Sequence, residues 1–197
     1  MNKRWITLVS VAGATALCGF SGLGTANAAD SIAGPPTRGS PLAKDELSDS
    51  QILGVTDVAN GGEVEQGDIA EKRGHAPAVK SFAQMMVNDH FAAKKEGAEI
   101  ASKLGLKLAP SEERARLQQN GDQVLTDLRK ADKDDFDRTY LKAQIKEHES
   151  VLKLIDSDLM PNANAPQIKT LLGDMRTHVE HHLSVAHSAL DELSKSK

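Results

Sequence analysis

In the C-terminal part of this 197-residue chain, mostly apolar residues recur at alternating steps of four and three residues. This is the spacing of one face of an α-helix. The positions that share this face are Ile168, Leu172, Met175, Val179, His182, Ala186, Ala189 and Leu193. A helix with a single apolar stripe is stable when that stripe packs against other helices. The pattern therefore predicts a helical bundle, and it places a histidine, His182, among the buried positions.

Helical spacing continues through the chain from about residue 48, and no run of alternating β-branched residues predicts a strand. Glycine and proline residues divide this part into long helices at 50–73, 77–104, 132–159 (beginning within 132–137) and 166–193, with a shorter helix at 111–130. Gly61 and Gly62 weaken the first helix, and Gly121 weakens the short one. We expect an all-α fold: an antiparallel four-helix bundle with one short extra helix between the second and third long helices.

The first 28 residues have the pattern of an export signal. Lys3 and Arg4 form a basic start, an apolar stretch covers 6–20, and 26–28 reads Ala-Asn-Ala, as at a signal peptidase site. The apolar stretch is short for a stable membrane anchor, and an uncleaved anchor is the alternative. We expect an exported protein of the periplasm or cell envelope.

Residues 29–47 are rich in glycine and proline, which predicts a flexible linker ahead of a bundle domain at 48–194. No later segment has 18 consecutive apolar residues, so the mature chain is expected to have no transmembrane segment. Cys18, the only cysteine, lies inside the predicted signal. The alternative of a lipoprotein signal is disfavoured, because Leu17 stands where that signal has a small residue. The mature chain would have no disulfide and no thiolate ligand.

Charge and aromatic content exclude some partners. Without the signal, the chain carries 22 basic and 28 acidic residues, a formal charge of −6. Its four aromatic residues, Phe82, Phe91, Phe136 and Tyr140, are too scattered to form a base-stacking platform. Both properties argue against nucleic acid, and the charge argues against anionic lipid.

Three histidines occupy the apolar seams of three different predicted helices. His90, His148 and His182 each stand where the neighbouring turns of the same helix face carry apolar residues. An imidazole in a bundle core is costly unless its nitrogens find partners. Three imidazoles in one core can share an ion, so we predict a transition-metal site. One alternative is a metal-free structural, interaction or stress-related protein of the cell envelope whose histidines form a hydrogen-bonded core. A buried histidine cluster that acts as an acid sensor is another.

Three further residues are candidate ligands of this site. His178 lies one turn before His182, although a partly exposed polar edge is the alternative for it. Met86 lies one turn before His90 and would be a soft ligand suited to copper, or simply a core residue. Glu63 is the candidate carboxylate on the first helix; it fits the seam better than Glu65, and a solvated face is the alternative.

Other chemistry is disfavoured by the sequence. The acidic stretch 132–137 differs from a calcium loop, because Asp137 stands where that loop needs glycine, and a helix N-terminus accounts for it better. Asp89 and Glu147 directly precede two of the histidines and should point some 100° away from them. No P-loop, dinucleotide fingerprint or nucleophile elbow is present. Since no cleft is indicated either, a binding or structural protein is favoured over an enzyme.

Several motifs spread over the long helices carry a resemblance to a known family. They are Gly62-Glu63-Val64-Glu65, the stretch 78–83 with Met86 and Asp89-His90, Phe136-Asp137, Tyr140-Leu141, His148, and His182-Leu183 with Ala186. Together they resemble an exported bacterial family of unknown function with a ferritin-like fold, whose members are often labelled outer membrane proteins. The resemblance covers residues 48–193. It matches Glu63, Met86, Asp89, His90, His148 and His182, whereas His178 and His181 lie outside the family pattern.

A ferritin-like fold suggests a di-iron site, which needs a Glu-x-x-His motif on each of two helices. Val87, Ile145 and Val179 stand three residues before the seam histidines, so the motif is missing. The histidines therefore suit a single zinc, copper or iron ion better than a carboxylate-bridged pair. A haem held by Met86 and a histidine is a further alternative, without a covalent attachment motif.

Overall fold

The computed structural model describes residues 46–195, in which every element is helical. The predicted signal peptide, and the predicted linker up to residue 45, lie outside the described residues. The helices are α1 (Asp49–Arg73), α2 (Pro77–Leu104), α3 (Glu112–Lys130), α4 (Phe136–Leu154), a π-helical turn (Ile155–Leu159), α5 (Met160–Asn162) and α6 (Pro166–Lys195). The predicted all-α class is confirmed, and the predicted bounds are correct to within a few residues, except where α4 ends. Within 46–195, no helix combines the length and apolar character that a membrane crossing requires.

The helix ends are held by capping groups on neighbouring segments as well as by local caps. Ser48 and Gln51 form a capping box at the start of α1. The Asp137 carboxylate accepts hydrogen bonds from the backbone N–H groups of His75 (2.9 Å) and Ala76 (2.7 Å), just ahead of α2. Asp137 therefore ties the start of α4 to the α1–α2 turn, which explains this acidic residue without a calcium ion.

The four long helices form a bundle in which each helix is antiparallel to its neighbours. The N–H of Ala109, beyond the end of α2, donates to the carbonyl of Ser50 at the start of α1 (2.9 Å). Arg138 at the start of α4 donates to Ser194 at the end of α6 (3.4 Å). Helix α1 packs against α2 and α4, and α6 packs against α2 and α4. The predicted antiparallel four-helix bundle is confirmed.

Helix α3 is the crossover that connects the two halves of the bundle. It packs on α1 in the same direction: Arg114 near its start lies beside Gly54, and its last carbonyls accept hydrogen bonds from Arg73. The chain thereby returns to the opposite end of the bundle before α4 begins. A single long crossover between two helical hairpins is the connectivity of ferritin-like folds.

Gly54 permits the close approach that starts this crossover. A Cβ atom at Gly54 would clash with the carbonyl oxygen of Ala109, which belongs to the backbone and cannot rotate away. Any larger residue would push the α2–α3 connection off α1 and break the Ala109–Ser50 hydrogen bond.

The prediction of one regular helix up to residue 159 was wrong. The α-helix ends at Leu154, and in the π-helical turn that follows the N–H of Met160 bonds to the carbonyl of Ile155. Pro161 gives the physical reason: its ring lacks an N–H and crowds the carbonyl four residues before it, so the helix widens ahead of the proline.

A layer of polar residues divides the core into two apolar clusters. One cluster includes Ile52, Leu53, Ile100, Leu154, Ile168 and Leu172; the other includes Phe82, Met86, Phe136, Tyr140, Leu141 and Ala186. The buried polar residues between them are Thr56, Asn60, Glu63, Gln66, His90, Gln144, His148 and His182. Burying an unpaired polar group costs about 1–3 kcal/mol in proteins, so the hydrogen-bond partners of these residues determine how the layer is stabilised.

Candidate metal centre

The three seam histidines converge in the polar layer. His90 comes from α2, His148 from α4 and His182 from α6, and their ring centroids lie 5.1–5.5 Å apart. One ring nitrogen of each lies within 4.8 Å of the other two. The expected convergence of these rings inside one bundle is therefore observed, and the spacing is close enough for one metal ion to be shared.

Asn60 sets the orientation of His90. The Nδ2 group of Asn60 donates to the carbonyl of Thr56 at 2.8 Å, so its Oδ1 atom faces Nδ1 of His90, also at 2.8 Å. Because an amide oxygen only accepts, the imidazole proton lies on Nδ1. The Nε2 atom of His90 then carries a lone pair, and this buried atom has no hydrogen-bond partner among the described residues.

His148 is oriented by its own helix. Its Nδ1 atom lies 2.9 Å from the backbone carbonyl oxygen of Gln144, one turn earlier on α4. A carbonyl accepts, so the proton lies on Nδ1 and the lone pair lies on Nε2. That lone pair faces His182, whose Nδ1 atom lies 3.2 Å from it.

His182 has the opposite tautomer, but it too keeps a lone pair on the nitrogen that faces the cluster. Its Nε2 atom lies 3.0 Å from a carboxylate oxygen of Asp89, which places the proton on Nε2 and leaves the lone pair on Nδ1. This Nδ1 atom lies 3.2 Å from Nε2 of His148. Asp89 thus contacts the outer nitrogen of His182 and not the converging nitrogens.

Burial keeps the three imidazoles in the neutral form. It lowers the pKa of His148 to about 3, and it lowers the pKa of His90 well below its usual value, with the neighbouring imidazoles adding to the effect. Burial also lowers the pKa of His182, against the opposing influence of Asp89. A neutral imidazole with a free lone pair is the form that binds a metal ion.

A small cavity between α2 and α6 gives access to the cluster. Its volume is about 80 Å³, and His90 and His182 form part of its wall. Asp89, Glu96 and Asp174 line the same cavity, as does Met175. The carboxylates make this opening attractive to cations.

Three of the predicted ligands lie outside the converging set of nitrogens. His178 is exposed and lines the access cavity, with its ring centroid 6.2 Å from that of His182. Met86 is fully buried within the apolar cluster beside the polar layer. Glu63 is buried, and its Oε1 atom lies 3.9 Å from Nδ1 of His148, the nitrogen that faces away from the other histidines. Glu65 is exposed.

Glu63 belongs to a second group of polar side chains, which includes Glu147. Gln66 donates to Glu147 (3.3 Å) and accepts from Gln144 (2.6 Å). Burial raises the pKa of Glu63 well above its usual value, with the charge of Glu147 adding to it, and burial raises the pKa of Glu147 to about 7. The second carboxyl oxygen of each glutamate is buried without a partner in the described part of the chain.

A cleft that the sequence analysis did not predict opens beside these carboxyl groups. It has a volume of about 580 Å³ and lies between α1, α3 and α4. Gly61, Gly62 and Gly121 are among the residues that line it. These glycines, which weaken their helices, are the only feature of the sequence that indicates the cleft. Glycine alone does not distinguish a cleft from a tight helix contact.

Asn60 and Gln144 are the functional residues that sequence reasoning missed. Asn60 shares a buried stripe of α1 with Thr56 and Glu63, at steps of four and three, so its burial was readable from the spacing. The role of Gln144 was not readable, because it acts on His148 through its backbone carbonyl.

Fold and site together define a ferritin-like crossover bundle with a tri-histidine cluster in its polar layer. The sequence matches the family described as "Domain of unknown function (DUF4142)" over residues 34–189, and the chain belongs to this family. The expected membership in a family of unknown function is thereby confirmed. No curated protein and no solved structure matches the chain.

Proposed function

We propose that this protein binds a single transition-metal ion through Nε2 of His90, Nε2 of His148 and Nδ1 of His182. The observation that carries the proposal is the proton arrangement of the cluster. The other nitrogen of each ring donates its proton to an acceptor, which leaves one lone pair on each ring for an ion. One nitrogen of each ring lies within 4.8 Å of the other two. Outer acceptors that fix the tautomer in this way are typical of metal-bound histidines.

A metal-free hydrogen-bonded core fits the same contacts less well. A hydrogen bond between His148 and His182 needs a proton on Nε2 of His148 or on Nδ1 of His182. Moving a proton there turns a lone pair toward the Gln144 carbonyl or toward the Asp89 carboxylate, which is repulsive. Protonating a ring instead conflicts with the burial that favours the neutral form. In either case Nε2 of His90 stays without a hydrogen-bond partner among residues 46–195.

Zinc is the ion we propose first, with copper and iron as the alternatives. Three imidazole nitrogens about 2.0–2.1 Å from a tetrahedral ion lie roughly 3.3 Å apart. The His148–His182 pair is already at 3.2 Å, and one nitrogen of His90 lies within 4.8 Å of both rings, so an ion would draw the third ring closer. The fourth position would face the α2–α6 cavity, where His178 and Met175 are further candidate donors. Glu63 and Met86 are candidates only if their side chains reorient.

We also propose that the protein is exported to the cell envelope, and this part of the proposal is supported by the sequence alone. The basic start, the short apolar stretch and the Ala-Asn-Ala pattern at 26–28 support export, so that the bundle would buffer or carry metal in the cell envelope. Mass spectrometry of the protein recovered from its native cell tests this. A mature N-terminus at residue 29 or 30 is expected, and a chain that retains residues 1–28 would contradict export.

The experiment for metal binding uses untagged protein, because a histidine tag would supply its own imidazoles. The protein is stripped with a chelator, and zinc, copper and iron(II) are then titrated by calorimetry while the melting temperature is followed. We expect one ion per chain and a concentration-dependent rise in the melting temperature, since the ion binds the native state alone. His148→Ala should weaken binding by more than about a hundredfold.

His187→Ala is the matched control, because His187 is an exposed histidine on α6. It should leave affinity unchanged. His90→Gln serves as a second ligand variant if His148→Ala fails to fold. Equal affinity in the wild type and in a folded His148→Ala or His90→Gln protein would refute the proposal, as would the absence of binding by any of the three metals.

A further inference from the structure

The cleft between α1, α3 and α4 lies on the far side of α1 and α4 from the access cavity of the histidine cluster, and the proposed metal site does not use it. Its volume of about 580 Å³ is in the range of sites for small organic molecules and far exceeds what a bare ion needs. Leu117, Val124, Leu125 and Val151 supply an apolar part of its wall.

The glycines in its wall keep the cleft open at a cost to the helices. A Cβ atom at Gly62 or at Gly121 would meet no atom of the described residues within 4 Å, so close packing among them does not require glycine at either position. A glycine inside a helix costs about 0.5–1 kcal/mol relative to alanine. What the two positions provide is space, since a side chain at either would enter the cleft.

The floor of the cleft presents acceptors that lack a donor. Glu63 and Glu147 line it, and the Oε2 atom of each is buried without a hydrogen-bond partner in the described residues. Of the four other carboxylates of the wall, three have partners: Asp57 with Lys94, Asp122 with Gln118 and Asp127 with Gln123. The fourth, Glu65, is exposed. The orphan oxygens call for a group that brings several N–H donors, and an ammonium is such a group.

The opposite end of the cleft presents a donor that lacks an acceptor. Arg114 on α3 lines the cleft, forms no ion pair in the described part of the chain, and has a buried Nε without a partner. Its side chain lies beside Gly54, which is nine residues from Glu63 on α1, or about 13 Å along the helix axis. A guanidinium in this setting suits a carboxylate.

We propose that the cleft binds a small zwitterion of the ω-amino-acid or peptide type, with its ammonium group on Glu63 and Glu147 and its carboxylate on Arg114. An extended six-carbon ω-amino acid with one hydrogen bond of about 2.9 Å at each end is about 14 Å long, which is close to the axial separation of Gly54 and Glu63 on α1. The apolar part of the wall packs along its methylene chain. The three nitrogens proposed to hold the metal ion form no part of this site.

Calorimetry with ε-aminocaproate on chelator-treated protein tests the proposal, so that metal plays no part. Saturable binding is expected at concentrations up to tens of millimolar. Hexylamine, which lacks the carboxylate, and caproate, which lacks the amine, should each bind at least about tenfold more weakly. Gly121→Leu should weaken ε-aminocaproate binding at least about tenfold by filling the cleft, and Arg114→Gln should weaken it by a similar factor.

Gly173→Leu is the control for the glycine substitution. Gly173 is also a mid-helix glycine whose Cβ would meet nothing within 4 Å, but it lies on α6 and outside the cleft. It should leave binding within about twofold of the wild type. The proposal is overturned if ε-aminocaproate gives no saturable heat, if Gly121→Leu binds as well as the wild type, or if hexylamine binds as tightly as ε-aminocaproate.

Discussion

The Nε2 atom of His148 lies 3.2 Å from the Nδ1 atom of His182, and the proton of each ring is held on the opposite nitrogen by a separate acceptor. Two neutral imidazoles in this arrangement face each other with lone pairs and without a proton between them. Such a contact is unfavourable in an apolar core unless a cation lies near it. The cost is offset when a metal ion takes both lone pairs, and the nearby Nε2 of His90 provides a third.

Asp89→Ala is expected to weaken zinc binding by about 10- to 100-fold, because the carboxylate holds the Nε2 proton of His182 and orients its ring. Calorimetric titration measures the effect. Asp174→Ala is the matched control: Asp174 is an aspartate that lines the same cavity, but in the described part of the chain it forms no hydrogen bond to a histidine. If the two variants lose affinity equally, Asp89 acts only through its charge.

Zinc affinity should depend weakly on pH in the acidic range. Three ordinary imidazoles with a pKa near 6.5 would lose several hundredfold in affinity between pH 7 and pH 5.5, because protons compete for the lone pairs. Burial holds the pKa of His148 at about 3 and lowers that of the other two, so less than about a tenfold loss is expected here. Competition titrations with a chelator of known pH dependence measure the ratio. A loss of several hundredfold would show that the cluster titrates like free histidine.

Glu147→Gln should stabilise the protein at pH 8 and have little effect at pH 5. The pKa of Glu147 is raised to about 7, so the folded protein binds a proton that the unfolded chain has lost above a pH of about 4.5. The free energy of unfolding of the wild type therefore falls as the pH rises from about 4.5 to 7. The side-chain amide of the Glu147→Gln variant does not ionise, so this fall should not occur in the variant. We expect a gain of about 1–3 kcal/mol at pH 8, measured by urea unfolding. A gain of equal size at both pH values would rule out ionisation as the cause.

Two glycines of α1 should respond to alanine in opposite directions. A Cβ atom at Gly67 would lie 2.7 Å from the Cγ2 atom of Val87 and 3.1 Å from the carbonyl of Ala83, so Gly67→Ala should cost about 1–3 kcal/mol by forcing α2 away. Gly62→Ala meets nothing within 4 Å and should add about 0.5–1 kcal/mol to stability. Chemical denaturation of both variants gives the comparison. Destabilisation by Gly62→Ala would mean that the cleft is narrower than described.

The helices were predictable because their signals are local. Three of these signals can be recognised in the sequence alone: the apolar seam of the last helix, Pro77 at the start of α2, and Gly105 at the end of α2. In the structure, Gly105 has the left-handed conformation (φ 65°) that favours glycine. The π-helical turn was not readable, because a proline near a helix end can terminate, kink or widen the helix. Which outcome occurs depends on packing that the sequence does not state.

The site was predictable only in part, for a related reason. Helical periodicity placed His90, His148 and His182 in the core, and the bundle brings them together. Periodicity does not say which ring nitrogen faces inward, since that depends on Asn60, Asp89 and a backbone carbonyl. Nor could it tell that Glu63 lies behind His148, because a buried stripe of α1 faces both α2 and α4.

The most direct measurement is anomalous diffraction from crystals of the zinc-loaded protein, with data collected on both sides of the zinc absorption edge. We predict one strong anomalous peak inside the bundle, about 2.0–2.1 Å from Nε2 of His90, Nε2 of His148 and Nδ1 of His182. A peak found only at exposed residues such as His178 or His181, with the three buried rings unliganded, would contradict the proposed metal centre.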